Sequence, residues 1–175
     1  AAFPATAEIA SPEETTPSVM ADLVFTACVS EVAVSEGILR VSDKEFPKAV
    51  SYLRFQVSGL KGRRPGSAVL RLHLHPDWQT GAGGLAVGSV AGGWQDSNLR
   101  WYDRRPEIGG LLGALAPMPY EPGQWVDIPL DTSFLRGDGT YSLGLKGLPS
   151  SGALVFADRG TEQPPELLLT PPLGE

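Results

Sequence analysis

Apolar residues return at every second position along much of this chain. Ala68, Leu70, Leu72 and Leu74 alternate with Val69, Arg71, His73 and His75, the period of a strand with one buried face. Leu53, Phe55 and Val57 repeat the pattern, with Tyr52, Arg54 and Gln56 on the opposite face. Leu23, Phe25, Ala27 and Val29 alternate earlier, and Leu39 with Val41 begins another run. Residues 85–90, 125–130, 141–145, 153–157 and 167–170 read as further strands. Glycine clusters separate them, and Gly137-Asp138-Gly139 has the chemistry of a hairpin tip. Only residues 110–116 have the look of a helical turn, which Pro117 would end. Roughly eight to ten strands in one domain predict an all-β fold, a two-sheet antiparallel β-sandwich of jelly-roll type.

Residues 1–20 stand apart from the sandwich expected over 21–175. Phe3, Ala5, Ala7 and Ile9 alternate with Pro4, Thr6, Glu8 and Ala10, and Pro12 and Pro17 stiffen the connector behind them. A single apolar stripe with a proline suits a strand pairing at a sheet edge. That edge is either the domain's own or that of an adjacent copy. In the second case Phe3, Ala5, Ala7 and Ile9 form a self-association strand, and head-to-tail pairing closes a ring or runs on as a filament.

Composition adds mostly exclusions. With 42 % hydrophobic and 19 % charged residues the chain is globular, not disordered. A net charge of −6 argues against nucleic acid, which needs a basic face to release counterions. No run approaches the roughly 20 apolar residues of a membrane span. Cys28 is the one cysteine, so no internal disulfide forms, and in its apolar run the thiol reads as a small hydrophobe. The opening Ala1-Ala2-Phe3 has small residues of the kind found just past the cleavage point of a secretory signal, as a trimmed start would also have.

Catalytic constellations are missing. His73 and His75 share a strand face, but they are the only 2 histidines and a metal needs a third ligand, so they are expected to face solvent. No G-x-S-x-G elbow occurs. Asp43, Asp77, Asp96, Asp131 and Asp138 sit at turn positions, which turn chemistry explains better than paired acid–base work. The chain is therefore expected not to be an enzyme. Trp78, Trp94, Trp101 and Trp125 are richer material, because aromatic faces stack on sugars and arginines pair with sugar carboxylates. Arg100, Tyr102, Arg104 and Arg105 offer both in one segment, with Trp78 as a further stacking ring.

Several segments, taken in order, resemble the DNRLRE-type domain, an extracellular β-sandwich family that includes alginate-binding modules. They are Ala21-Asp22, Leu39-Arg40-Val41, Ser51-Tyr52-Leu53-Arg54-Phe55, Ala68-Val69-Leu70-Arg71-Leu72, Leu99-Arg100-Trp101, Arg104-Arg105-Pro106, Trp125-Val126-Asp127-Ile128, Tyr141-Ser142-Leu143-Gly144-Leu145, Phe156-Ala157-Asp158-Arg159 and Pro164-Pro165-Glu166-Leu167. The likeness covers roughly residues 21–170 and departs over 28–36, where the family has an Asn/Gly-rich loop and this chain has apparent strand. It implies a secreted, cell-surface, non-catalytic protein, with Trp94 and Trp101 plugging one end of the sandwich. It implies no cofactor beyond a structural calcium ion, for which Asp22 and Asp158 are the candidate ligands. Two functions remain. The favoured one is a structural subunit that self-associates into a surface fibre or layer. The alternative is a carbohydrate-binding module for an anionic polysaccharide such as alginate, held by Arg100, Tyr102, Arg104, Arg105 and Trp78.

Overall fold

The computed structural model describes residues 19–32, 34–35, 37–43, 46–77, 82–91, 99, 101, 106–149 and 151–172. Their strands are β1 (Met20–Ser30), β2 (Val34–Ser35), β3 (Ile38–Val41), β4 (Ala49–Ser58), β5 (Ala68–His73), β6 (Ala82–Val90), β7 (Ile108–Pro119), β8 (Trp125–Leu130), β9 (Gly139–Gly147), β10 (Leu154–Ala157) and β11 (Glu166–Leu169). One layer is a six-stranded sheet in the order β2-β1-β4-β9-β6-β7. The other combines β11-β5-β8 with the pair β10-β3. A Leu74–Phe156 bridge joins those two parts, and His75 N–H donates to Val155 O at 2.9 Å. Every strand pairing is antiparallel. The expected all-β sandwich is what the chain forms.

Alternation makes the core. Leu53, Phe55 and Val57 of β4 and Leu143 and Leu145 of β9 meet Leu70 and Leu72 of β5 and Val126, Ile128 and Leu130 of β8. Each such side chain, taken out of water, contributes about 1.5–3 kcal/mol before ordering costs.

Three local expectations fail, each for a geometric reason. The alternating run Leu23, Phe25, Ala27, Val29 does not share one face, because the register against β4 shifts between Leu23 and Phe25. Ala21 and Leu23 pack on the main core, whereas Phe25, Ala27 and Val29 turn to the opposite face of the sheet. Residues 110–116 are strand, not a helical turn. Against β6, Val87 pairs with Gly113 and Gly88 with Leu111, so Leu112 is an extra bulge residue. That bulge sends both Leu112 and Leu115 to the core, a three-residue spacing that imitates a helix. Finally, Gly137-Asp138-Gly139 is no hairpin tip, since β8 and β9 lie in different layers. Asp138 Oδ1 instead accepts from Leu60 N–H at 2.7 Å and anchors the crossover.

Candidate functional site

A sheet in a two-layer sandwich normally shows its second face to water, yet here part of that face is buried. Ala27 and Val29 of β1, Val50 and Tyr52 of β4 and Val90 of β6 form a second apolar cluster with Leu99. Phe25, Trp101 and Ile108 pack against it. Leu99, Trp101 and Pro106 thus lie over the outer face of the six-stranded sheet. Tyr52 lies fully buried beneath them, and its hydroxyl donates to Pro106 O at 2.7 Å. Gly144 on β9 makes room for this outer layer: a Cβ there would stand 2.5 Å from Ile108 Cγ1.

Where the outer layer meets the start of β4 and the end of β9, it leaves a cleft of about 420 Å³. Val50 and Tyr52 line it from the sheet, and Trp101, Pro106 and Ile108 from the layer above. Lys48, Lys146, Asp43 and Glu107 supply its charge. Lys146 is placed by register, standing opposite Val50 on β4 and Ala86 on β6. Lys48 is held by its backbone: its N–H donates to Glu31 Oε1 at 2.7 Å, and its carbonyl accepts from Glu31 N–H at 3.0 Å. The Arg40 guanidinium donates to the neighbouring Pro47 carbonyl. Both lysines are exposed, and among the described residues neither ammonium has an ion-pair partner. The chemistry on offer is aromatic surface beside two cations with donor capacity to give, flanked by two carboxylates.

The sequence-predicted site residues Phe3, Ala5, Ala7, Ile9, Trp78, Arg100, Tyr102, Arg104 and Arg105 lie outside the described residues, as does Trp94. Trp101 does not plug the end of the sandwich; it lies on the outer face of the larger sheet and lines the cleft. Lys48 and Lys146 are absent from the sequence-predicted set, and nothing local in the sequence distinguishes them. Tyr52 does carry a signal, as a large aromatic on the face of β4 that otherwise reads as polar. His73, expected to face solvent, is only 8 % exposed. Among the described residues no three His, Cys, Asp or Glu side chains are grouped to hold a metal. Asp158 gives its carboxylate to the backbone, accepting from Gly37 N–H and Gly160 N–H, each at 2.9 Å.

The family model for carbohydrate-binding module family 96 matches residues 34–171. That span holds every strand except β1, and it contains all the residues that line the cleft. No curated protein matches the chain significantly.

Proposed function

Because the chain belongs to carbohydrate-binding module family 96, we propose that it is a non-catalytic module that holds an acidic polysaccharide, such as alginate, in the cleft on its larger sheet. The supporting observation is the meeting there of Lys48 and Lys146, without ion-pair partners among the described residues, with the half-buried Trp101 ring. A uronate carboxylate accepts from an ammonium while the ring of the same or the next sugar lies against aromatic surface. Asp43 and Glu107 then set the register, since a uronate is repelled from them and drawn to the lysines. A polysaccharide of this kind lies outside the cell, so export belongs to the same reading.

Calorimetric titration with polymannuronate and polyguluronate oligomers tests it. The double variant Lys48→Ala/Lys146→Ala should bind about five- to thirty-fold more weakly, as expected for two exposed charge pairs worth together about 1–2 kcal/mol. Parent binding should also fall as salt rises. A double variant that binds as tightly as the parent removes the cleft from the reading. The arginines Arg100, Arg104 and Arg105 adjoin Leu99, Trp101 and Pro106 along the chain, and a triple Arg→Ala protein asks whether they contribute.

Self-association remains a second reading, favoured by one observation. β7 is a 12-residue edge strand without a single charged side chain, and Leu111 and Met118 stand exposed on it. Pro117 and Pro119 lack donors and Leu112 O already accepts from Asp131 N–H at 2.9 Å, so part of this edge is closed. The rest can take an added strand, and residues 2–10 of another copy, with Phe3, Ala5, Ala7 and Ile9 on one face, would suit it. Deleting residues 1–10 should then leave a folded monomer, while the parent sediments as a larger species. A parent that is monomeric at high concentration ends this reading.

A further inference from the structure

The opposite side of the sandwich carries a second constellation. On β5 the residues facing away from the core are Val69, Arg71 and His73, and on β8 they are Trp125, Asp127 and Pro129. Register sets them side by side, Arg71 against Asp127 and His73 against Trp125, with Glu166 of β11 on the other flank of Arg71. Arg71 binds Asp127 through two contacts, Nε to Oδ1 at 2.9 Å and Nη2 to Oδ2 at 3.5 Å. Its guanidinium carbon lies 5.7 Å from the centre of the Trp125 ring. The His73 ring meets Trp125 edge-on, with centroids 4.7 Å apart. Trp125 is therefore fixed from two sides while 36 % of it stays open to solvent. His73 is buried against this ring, and its Nδ1 has no hydrogen-bond partner.

Stability explains this arrangement poorly, because exposed ion pairs are worth little and the ring contacts of Trp125 are offset by an unpartnered buried nitrogen. As a recognition surface it is coherent. A rigid indole face accepts the C–H face of a pyranose. The Asp127 carboxylate and Arg71 guanidinium beside it pair with each other, and their remaining lone pairs and N–H groups can meet sugar hydroxyls. The guanidinium is flanked by two carboxylates, so this face is net acidic and disfavours a uronate.

We propose that Trp125, with Arg71 and Asp127, is a second glycan-binding site, on the outer face of the smaller sheet, for neutral pyranose units with largely equatorial substituents. The inference rests on the carbohydrate-binding reading above but uses none of the cleft. It gives the module two recognition faces on opposite sides, one for acidic and one for neutral sugar.

Titration of the full chain with cellohexaose and mannohexaose tests it, with polymannuronate oligomers titrated in parallel. The parent should bind at least one neutral hexaose. Trp125→Ala and Asp127→Asn should each weaken that binding about tenfold, Trp125→Phe should retain most of it, and all three should bind polymannuronate like the parent. Should Trp125→Ala fail to fold, as seen by circular dichroism, Asp127→Asn together with Arg71→Gln decides the matter at the exposed pair. A parent that binds polymannuronate but neither hexaose overturns the second site and leaves the cleft reading intact. Folded Trp125 and Asp127 variants that bind neutral sugar undiminished overturn it too. A parent that binds no glycan removes both.

Discussion

Cys28 sits on β1 at 1 % exposure, with its sulfur wrapped by Arg40 backbone: Sγ accepts from Arg40 N–H at 3.3 Å and donates to Arg40 O at 3.7 Å. Burial pushes the thiol above its ordinary range, and the opposing pull of the Arg40 and Ser51 contacts is smaller. The unfolded thiol ionises first, at about pH 8.5. Its contribution to stability is therefore complete below that pH and drains away as pH rises toward the higher native value. Urea unfolding at neutral pH and at about pH 10 should show the parent losing more stability over the interval than Cys28→Ala. Equal losses would mean that the thiol is not what titrates. Reading this residue as a buried small hydrophobe needs only its neighbours in the sequence. Reading His73 correctly needs the partner strand, because an outward-facing position is buried there by Trp125 across the ladder.

At the level of elements, legibility follows how strictly one face is buried. β5 and β8 alternate without interruption against a single core, and both are visible from periodicity alone. β7 passes for a helical turn because the bulge at Leu112 changes which residues face inward, and nothing in the sequence marks a bulge except its glycines. One of these has a definite task. At Gly113 a Cβ would stand 2.5 Å from Pro129 O, so the bare backbone lets β7 pass β8 where Asp131 N–H donates to Leu112 O at 2.9 Å. At Gly110 a Cβ would meet nothing within 4 Å. Gly113→Ala should accordingly cost about 1–3 kcal/mol of unfolding free energy through forced displacement of backbone. Gly110→Ala should stay within about 0.5 kcal/mol of the parent. Denaturant melts of the two proteins make the comparison, and similar losses in both would show that β7 is merely intolerant of alanine.

Across the whole molecule the cleft is only half visible in the sequence. Its lining residues fall within positions 42–52, 101–108 and 146–147, stretches that no local pattern connects. Stacking aromatics and sugar-pairing cations mark the stretch that contains Trp101, but the lysines that share the cleft with it come from the approach to β4 and the end of β9, remote from it in sequence. The family match supports the alternative that the resemblance offers, a carbohydrate-binding module, and lends nothing to the fibre subunit that the sequence reading favours. The layer over the larger sheet has a kinetic consequence. Tyr52 and Leu53 are neighbours on β4, yet one is buried in the outer cluster and the other in the main core. Amide protons along the middle of β4 are thus shut in from both sides and should exchange with deuterium only when the whole domain opens. Those of Glu107 and Ile108 belong to the thinner cover and should exchange through smaller openings. A uronan chain gripping both walls must be released before that cover lifts, so it should slow deuterium uptake at Glu107 and Ile108 while leaving β5 unchanged. Mass spectrometry of peptides from the two regions would show the difference, and uniform slowing everywhere would place the sugar somewhere other than the cleft.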